Sequence, residues 1–183
     1  MSIRINRFAQ RLAKFRDRHA HKSSTIHFSE LSSDFKGCLI CMPGTLDQVR
    51  AASEILPDFA EIFSNRDIKI LLTSNIDPQS HEYIKKFAVI RPQEDDLDSF
   101  SMPKREFVDR VAKGGLAIAV DMDPNPNFFN AVISLRSGAP VRTAFDKGEG
   151  LPYYNLIIGI PAKDVALKVS YRAMADILKN FKK

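Results

Sequence analysis

Residues 116–145 constrain the fold of this chain most, because they place a strand, a helix and a second strand in close succession. The run 116–120 is apolar without interruption and ends in a polar turn. A largely apolar helical segment follows over residues 128–136, and a second apolar run lies at 141–145. Apolar runs without alternation are typical of strands buried on both faces of a parallel sheet. The segment therefore predicts a strand–helix–strand unit.

The rest of the chain from residue 37 repeats this alternation of short apolar runs and helical segments. Further strands are predicted at 38–42, 68–73, 88–91 and 155–160. Further helices are predicted at 45–63 with a break at Pro57, and at 81–87, 104–113 and 165–181, while 92–103 is an acidic loop. Strands that alternate with helices favour an open, mostly parallel, doubly wound sheet with helices on both faces. We therefore expect a Rossmann-like α/β fold of about six strands.

Length and composition fit one globular domain after a short N-terminal extension. The chain has 183 residues, of which 44% are apolar and 27% are charged. A chain of about 150 residues already hides roughly two thirds of its unfolded surface, so a substantial core is expected. The apolar runs are much shorter than the ~20 residues that cross a bilayer. We divide the chain into residues 1–24, a basic amphipathic helix and hinge, and residues 25–183, a single domain that ends in a helix.

Positive charge is concentrated at the two ends of the chain. Residues 1–22 contain seven Lys or Arg and one acid, Asp17, and residues 163–183 contain six Lys or Arg and two acids, giving net charges of +6 and +4. The whole chain has a net charge of +5, so the part between these ends carries −5. Basic ends favour anionic partners such as a membrane surface, a nucleic acid or an acidic protein face. The alternative is that Lys and Arg only solubilise the outer faces of terminal helices.

The N-terminal segment has the pattern of an amphipathic helix. Ile5, Phe8, Leu12 and Phe15 recur every three or four residues, with Arg and Lys on the intervening faces. Such a helix can dock on the domain, lie on an anionic membrane or bind a protein partner. We expect it to stand outside the core, as an attachment element. The residues predicted to contact a partner or a membrane are Arg4, Arg7, Phe8, Arg11, Lys14, Phe15 and Arg18.

Cys38 and Cys41 form a C-x-x-C pair within a predicted strand. Side chains three residues apart on a strand point to opposite faces, whereas a redox pair needs a helix N-terminus that lowers the thiol pKa. We therefore expect two buried core cysteines, which are typical of a cytosolic protein. No second Cys or His cluster completes a zinc site, and the sequence contains neither G-x-G-x-x-G nor a P-loop, so no metal and no cofactor are predicted.

Two loops follow predicted strands at the edge where doubly wound sheets bind ligands. The first contains Gly44, Thr45 and Asp47, and a capping box between Thr45 and Gln48 explains it as the start of a helix. The second contains carboxylates and amides that can bind sugar hydroxyls or a cation. Its candidate binding residues are Asp121, Asp123, Asn125 and Asn127. The same residue types are common turn formers and helix caps, so a structural role for this loop is the alternative.

The order of these elements resembles the N-terminal, acceptor-binding half of the family 9 glycosyltransferases, the ADP-heptose:lipopolysaccharide heptosyltransferases. In that family a strand ending in Asp leads into a helix that closes on Ser-Gly-Ala, followed by Arg and Gly-Phe. The matching positions here are Asp121, residues 137–139, Arg142 and Phe145. The resemblance covers residues 37–160 and implies a Rossmann-like fold with the loop at 121–127 in the acceptor pocket. It makes Arg142 a further binding candidate and implies a general base directly after Gly44.

This chain departs from the family pattern at the position of that base. The family has an acid after the glycine, and this chain has Thr45, whose hydroxyl cannot take up a proton at neutral pH. Asp47 is the alternative base, although its place in the first turn of a helix is already explained by the helix dipole. Ala144 replaces the glycine that precedes Phe145 in the family. A chain of this length has room for one half of such an enzyme, so we expect the sugar-nucleotide half to be missing.

We interpret the chain as a non-catalytic, stand-alone domain that binds a protein partner, similar to single-domain bacterial proteins with a basic amphipathic start and a terminal helix. The first alternative is a glycosyltransferase component that borrows a donor-binding domain from another chain, which requires Asp47, Asp121 and Arg142 to act on substrate. The second is a membrane-surface module that uses the basic N-terminal helix. Nucleic acid is disfavoured, because no aromatic stacking platform accompanies the arginines. The expected location is the cytoplasm, including the periphery of the inner membrane.

Overall fold

The computed structural model of the chain describes residues 3, 5–17, 37–64, 67–147, 152–159 and 167–180. Within these ranges the α-helices are α1 (Arg7–Asp17), α2 (Leu46–Ser53), α3 (Leu56–Ile62), α4 (Arg105–Ala112), α5 (Phe128–Arg136) and α6 (Leu167–Asn180). The strands are β1 (Gly37–Cys41), β2 (Asp67–Leu71), β3 (Ala88–Ile90), β4 (Leu116–Asp121), β5 (Val141–Phe145) and β6 (Leu156–Ile158). None of the described helices is both long and apolar enough to cross a membrane. The predicted hinge before residue 25 lies outside the described residues.

The described strands form one open sheet in the order β3-β2-β1-β4-β5-β6, and every neighbouring pair is parallel. The central strands β1 and β4 are buried along their whole length, which explains why their sequences do not alternate. The edge strands β3 and β6 are short and partly exposed. This arrangement confirms the predicted doubly wound, Rossmann-like fold of six strands.

Helices cover both faces of the sheet, and the two cysteines mark the two faces. Cys38 belongs to the cluster that α2, α3 and α6 form on one face, together with Phe59 and Met174. Cys41 belongs to the cluster that α4 and α5 form on the other face, together with Phe107. Both side chains have no exposed surface, so the prediction of two buried core cysteines is confirmed. Burial raises the pKa of the Cys41 thiol well above its usual value.

Two predicted helices differ from those observed. The segment 45–63 forms α2 and α3, and α2 ends at Ser53, because Pro57 has no N–H to donate to the carbonyl four residues earlier. The prediction of a helix at 81–87 is wrong. The predicted range contains one single-turn 3-10 helix, Ile84–Lys86, and another, Pro78–Ser80, precedes it. Ile84 is the fully buried apolar side chain of this region. So short a segment with one anchoring side chain does not sustain an α-helix.

α1 packs on the domain, so the expectation that residues 1–22 stand outside the core is wrong for the helix itself. Ala9 and Ala13 are 4% and 6% exposed and belong to one cluster with Phe128 and Tyr153. Asp17 is also buried, and its Oδ1 lies 3.5 Å from Nη2 of Arg136 at the end of α5. The docked face therefore consists of small side chains that allow a close approach. Of the predicted apolar stripe, Ile5 packs against this cluster, whereas Phe8, Leu12 and Phe15 on α1 are exposed.

Candidate functional site

The two loops predicted to bind ligands meet at the switch point of the sheet. The chain moves outward from β1 through β2 to β3 and then crosses back to β4 on the other side of β1. Ligands in doubly wound sheets bind outside the carboxyl ends of the strands at such a point. Cys41 at the end of β1 lies opposite Asp121 at the end of β4. Residues 42–47 and 121–127 are therefore neighbours, as the sequence predicted.

Asp121 is the centre of a buried hydrogen-bonded cluster, which we call the Asp121 network. The members of this network are Asp121, Asp123, Asn130, Lys147 and Tyr154. Oδ1 of Asp121 accepts hydrogen bonds from the backbone N–H of Asp123 at 3.0 Å and from Nδ2 of Asn130 at 3.1 Å. Oδ2 accepts from Nζ of Lys147 at 2.7 Å and from the Tyr154 hydroxyl. Asp121 has no exposed surface, so four protein donors satisfy this carboxylate inside the protein.

Lys147, two residues after β5, supplies the positive charge of this network. Its side chain is 1% exposed, and its ammonium group also donates to the backbone carbonyl of Asp123 at 3.0 Å. Nζ lies 5.3 Å from the centre of the Tyr154 ring, within the range of a cation–π contact. Removing an ammonium and a carboxylate from water costs several kcal/mol per ion, and mutual pairing with further hydrogen bonds offsets that cost. The Lys147 ammonium and the Asp121 carboxylate are therefore tolerated in the interior because each is hydrogen-bonded to groups of the protein.

Asp123 joins the two loops of the switch point. Its Oδ2 accepts from the backbone N–H of Gly44 at 3.0 Å and from Nδ2 of Asn127 at 2.9 Å, and its Oδ1 accepts from the N–H of Asn125 at 3.0 Å. The residue is buried, and burial is the main reason why the pKa of Asp123 is raised, although the hydrogen bonds from Asn127 and Asn125 act to lower it. The carboxylate thus fixes the loop after β1 to the loop after β4.

The amides of this loop hold the start of α5. Oδ1 of Asn127 accepts from the N–H of Asn130 at 3.2 Å, so Asn127 is the predicted N-cap of the helix. Nδ2 of Asn130 donates to the carbonyl of Met42 at 3.2 Å as well as to Asp121. Asn125 is exposed and contributes its backbone N–H to Asp123. The side-chain amides of Asn127 and Asn130 therefore cap the helix and hold the loops together.

Thr45 does not form the capping box that the sequence predicted. Its backbone is extended, as an N-cap requires, but its side chain makes no capping hydrogen bond, and Oε1 of Gln48 lies buried without a hydrogen-bond partner. α2 therefore begins without the reciprocal side-chain bonds of a capping box. Gly44, Thr45 and Asp47 are all exposed, and Asp47 lies in the first turn of α2 as expected.

Arg142 lies away from the switch point. It is the second residue of β5, and three residues of strand, about 10 Å, separate it from the carboxyl end of that strand. Nε donates to the carbonyl of Tyr153 at 3.0 Å and Nη1 to the carbonyl of Ala139 at 2.9 Å. Burial lowers the pKa of the guanidinium. Arg142 thus braces two loops, and the structure does not bring it together with the other predicted binding residues.

A small cavity of about 130 Å³ is the open part of the switch point. Its lining residues carry no charge and are Ile3, Gly44, Thr73, Ser74, Asn75, Asn127 and Phe129. Nowhere in the described ranges do three or more His, Cys, Asp or Glu side chains come together as a metal site would require. The hydroxyls and amides of this cavity suit a neutral hydrogen-bonding group better than a phosphate.

Comparison with solved structures relates this fold to known enzymes. The chain superposes on the ADP-heptose LPS heptosyltransferase II of E. coli with a TM-score of 0.59 and 14% identity, over 76% of this chain and 40% of that one. It superposes on a family 9 glycosyl transferase from Veillonella parvula with a TM-score of 0.55 and 14% identity, over 79% of this chain and 41% of that one. The resemblance to family 9 glycosyltransferases is confirmed at the level of the fold. The chain spans about 40% of each enzyme, the size of one half.

No family model matches the sequence, and no curated protein matches it either. At 14% identity the superpositions establish the fold alone, because a fold can host many unrelated functions. What this chain does must therefore be argued from its own residues.

Three members of the Asp121 network were missed by sequence reasoning. The sequence patterns single out none of Lys147, Tyr154 and Asn130. One signal for Lys147 was available, because it follows the buried run of β5, a strand that neighbours β4 and ends at the same edge as Asp121. Among the predicted contact residues, Arg7, Phe8, Arg11, Lys14 and Phe15 lie exposed on α1, while Arg4 and Arg18 fall outside the described residues.

Proposed function

We propose that this chain is a non-catalytic domain that keeps a glycosyltransferase-like fold as a scaffold and acts by binding a protein partner. The observation that carries the proposal is the internal use of both carboxylates at the end of β4. Asp121 is fully buried with four hydrogen-bond donors, and Asp123 accepts three hydrogen bonds from its own loops. Groups satisfied in this way brace the fold and have little capacity left to activate a substrate.

The residue after Gly44 supports the same proposal. A general base on an acceptor hydroxyl must take up a proton near neutral pH, and the hydroxyl of Thr45 does not do so. The cavity next to Gly44 is lined by uncharged side chains. The diphosphate of a nucleoside diphosphate is normally bound by cations or by the N–H groups of a glycine-rich loop at a helix N-terminus. Neither requirement of sugar transfer is therefore supplied by the described part of the chain.

Calorimetric titration of the purified protein with an ADP-sugar tests this proposal. We expect no measurable heat of binding and no release of ADP over a long incubation. A dissociation constant in the micromolar range would contradict the proposal. Binding of the ADP-sugar without release of ADP would show that the domain binds a small ligand, and would contradict the scaffold role while leaving the domain non-catalytic.

The alternative is a glycosyltransferase component completed by a donor-binding domain on another chain. Two observations favour it, namely the fold shared with family 9 enzymes and the exposed carboxylate of Asp47 one turn after Gly44. If this alternative holds, we expect Asp47→Asn to abolish the cellular function at an unchanged protein level. The matched change Asp58→Asn, in the first turn of α3, should leave that function intact. Under the scaffold proposal both variants behave as the parent protein does.

We further infer a cytoplasmic location for the domain. The support comes from the two buried thiols, which lie on opposite faces of β1 and are separated by the sheet itself. Buried cysteines that form no disulfide are typical of reducing compartments, whereas secreted domains tend to use cysteines in disulfides. Fractionation of cells that produce the protein tests the location.

A further inference from the structure

α1 presents three distinct faces, of which one carries its buried side chains. Ala9, Ala13 and Asp17 recur every four residues and form the face docked on the domain. Phe8, Leu12 and Phe15 lie on a second face and are 64%, 56% and 67% exposed. Large apolar side chains that are exposed together on one surface often mark an interaction site. The docked face holds the helix in place, so the exposed face has a fixed direction relative to the domain.

The third face of α1 is cationic. Arg7, Arg11 and Lys14 recur at helical spacing beside the apolar face, and all three are exposed, although Nζ of Lys14 also lies 5.8 Å from the centre of the Phe128 ring. The one acid of the helix, Asp17, is buried against Arg136 and does not contribute to the outer surface. The outward surface of α1 therefore combines apolar and positively charged side chains and carries no negative charge of its own.

A further apolar side chain lines a groove that α1 also lines. The groove has a volume of about 930 Å³, and its lining includes both Leu12 and Phe100. Phe100 is 45% exposed and lies in a tight turn in which Ser101 has a φ of 60°. Oδ1 of Asp98 holds this turn by accepting from the N–H groups of Phe100 and Met102 at 2.8 and 2.9 Å. Phe100 is thus held in place by the turn itself.

We propose that the outward surface of α1 lies in the headgroup region of an anionic phospholipid bilayer. Phe8 and Leu12 insert below the headgroups, Phe100 reaches the same interface, and Arg7, Arg11 and Lys14 contact the lipid phosphates. Helices that lie in a membrane plane combine an apolar face with flanking Lys and Arg. Each cation close to an anionic leaflet adds to the attraction, which salt screens. This inference goes beyond the proposed protein binding, because it assigns a lipid surface to a separate face of the molecule.

Charge complementarity distinguishes a bilayer from the other occupants of this surface. A second copy of the chain would have to present an acidic and apolar counterpart, and the acids among the residues that line the groove are Asp98 and Asp109. Asp109 lies 3.7 Å from Arg105, and the Asp98 carboxylate is engaged in its own turn. In an anionic bilayer, many lipid phosphates are available to all the cationic side chains of this face, so no protein surface of complementary shape is required.

Flotation of the full-length protein with lipid vesicles tests the proposal. We expect binding to vesicles of equimolar phosphatidylcholine and phosphatidylglycerol, little binding to phosphatidylcholine alone, and weakening as salt is raised. The double variant Phe8→Ser/Leu12→Ser should lower the affinity at least about tenfold, because two inserted apolar side chains are lost. The triple variant Arg7→Gln/Arg11→Gln/Lys14→Gln should remove the preference for the anionic lipid. All changed side chains are exposed, and thermal melts should confirm an unchanged fold.

The matched control changes exposed apolar side chains on a different helix. Val169→Ser/Ile177→Ser on α6, at 52% and 37% exposure, should bind vesicles as the parent does. The proposal is overturned if vesicle binding is absent, if neutral and anionic vesicles bind equally, or if the α6 variant loses as much affinity as the α1 variant. It is also overturned if light scattering finds a dimer that Phe8→Ser/Leu12→Ser dissociates, or if photocrosslinking from position 12 in cells captures protein and no lipid.

Discussion

The switch point of the sheet and the outer surface of α1 contrast in how they place polar and apolar groups. At the switch point, a carboxylate and an ammonium group are almost completely buried and paired with each other. On α1, two phenylalanines and a leucine are more than half exposed. Burying charge and exposing large apolar groups both cost free energy, so each needs a physical reason. The charges are satisfied internally and brace the fold, whereas the exposed apolar groups imply a contact outside the molecule.

The largest expected effect comes from breaking the buried ion pair. Lys147→Met removes the cation that pairs with the buried carboxyl group of Asp121, which should lower the free energy of unfolding by about 3–5 kcal/mol. Urea denaturation measures the loss. The double variant Asp121→Asn/Lys147→Met removes both charges and should recover much of the stability. A single variant as stable as the parent would show that the network does not brace the switch point.

Changing Asp123 tests whether the network also joins the two loops. Asp123→Asn turns one accepting oxygen into a donor that faces N–H groups, and should cost about 1–3 kcal/mol near neutral pH. The folded-state pKa of Asp123 is raised, so the stabilisation linked to its protonated form is present below the unfolded pKa of about 4 and is lost as pH rises through the folded pKa. The stability difference between parent and variant should therefore shrink with rising pH. A difference that grows with pH would contradict the burial argument.

Two substitutions in α1 separate its docked face from its exposed face. Ala13→Leu forces a larger side chain into the contact with the domain and should cost about 1–3 kcal/mol. Leu12→Ala, one residue away on the exposed face, should change stability by less than about 0.5 kcal/mol. Thermal and urea unfolding measure both. Equal effects from the two variants would mean that the two faces of α1 are not distinct.

The smallest effect is expected at Thr45, the position where the resembled family has an acid. Because the Thr45 side chain makes no capping hydrogen bond, Thr45→Ala should change stability by less than about 0.5 kcal/mol. The same change at a true N-cap costs about 1 kcal/mol, and Asn127→Ala provides that comparison on α5. A loss at Thr45 as large as that at Asn127 would restore the predicted capping box.

The fold was predictable from the sequence because its signals are local. Buried parallel strands are short apolar runs, and Gly114 and Gly138, with φ of 89° and 75°, mark the ends of α4 and α5. The Asp121 network was not predictable as a unit. Lys147 and Tyr154 lie 26 and 33 residues from Asp121, and only the folded loops bring them together.

The docking of α1 shows a second limit of sequence reasoning. Hydrophobic periodicity identified Ile5, Phe8, Leu12 and Phe15 as the apolar stripe. The helix itself packs through Ala9 and Ala13, and Ile5, just before it, packs against the same cluster. Close packing requires surfaces of complementary shape. The small side chains of Ala9 and Ala13 fit against the large side chains of Phe128 and Met102 on the domain. The surface to which a helix docks cannot be read from the helix alone.

Two-dimensional NMR of the isotopically labelled full-length protein tests the contrast between the two regions most directly. We expect an ADP-sugar to leave the amide signals of Gly44, Thr45 and Asp123 unchanged, while anionic bilayers that carry a paramagnetic headgroup label enhance relaxation most strongly at residues 7–15. Saturable shifts at Gly44 and Asp123 on addition of the sugar nucleotide, with residues 7–15 unaffected by the labelled bilayers, would contradict that contrast.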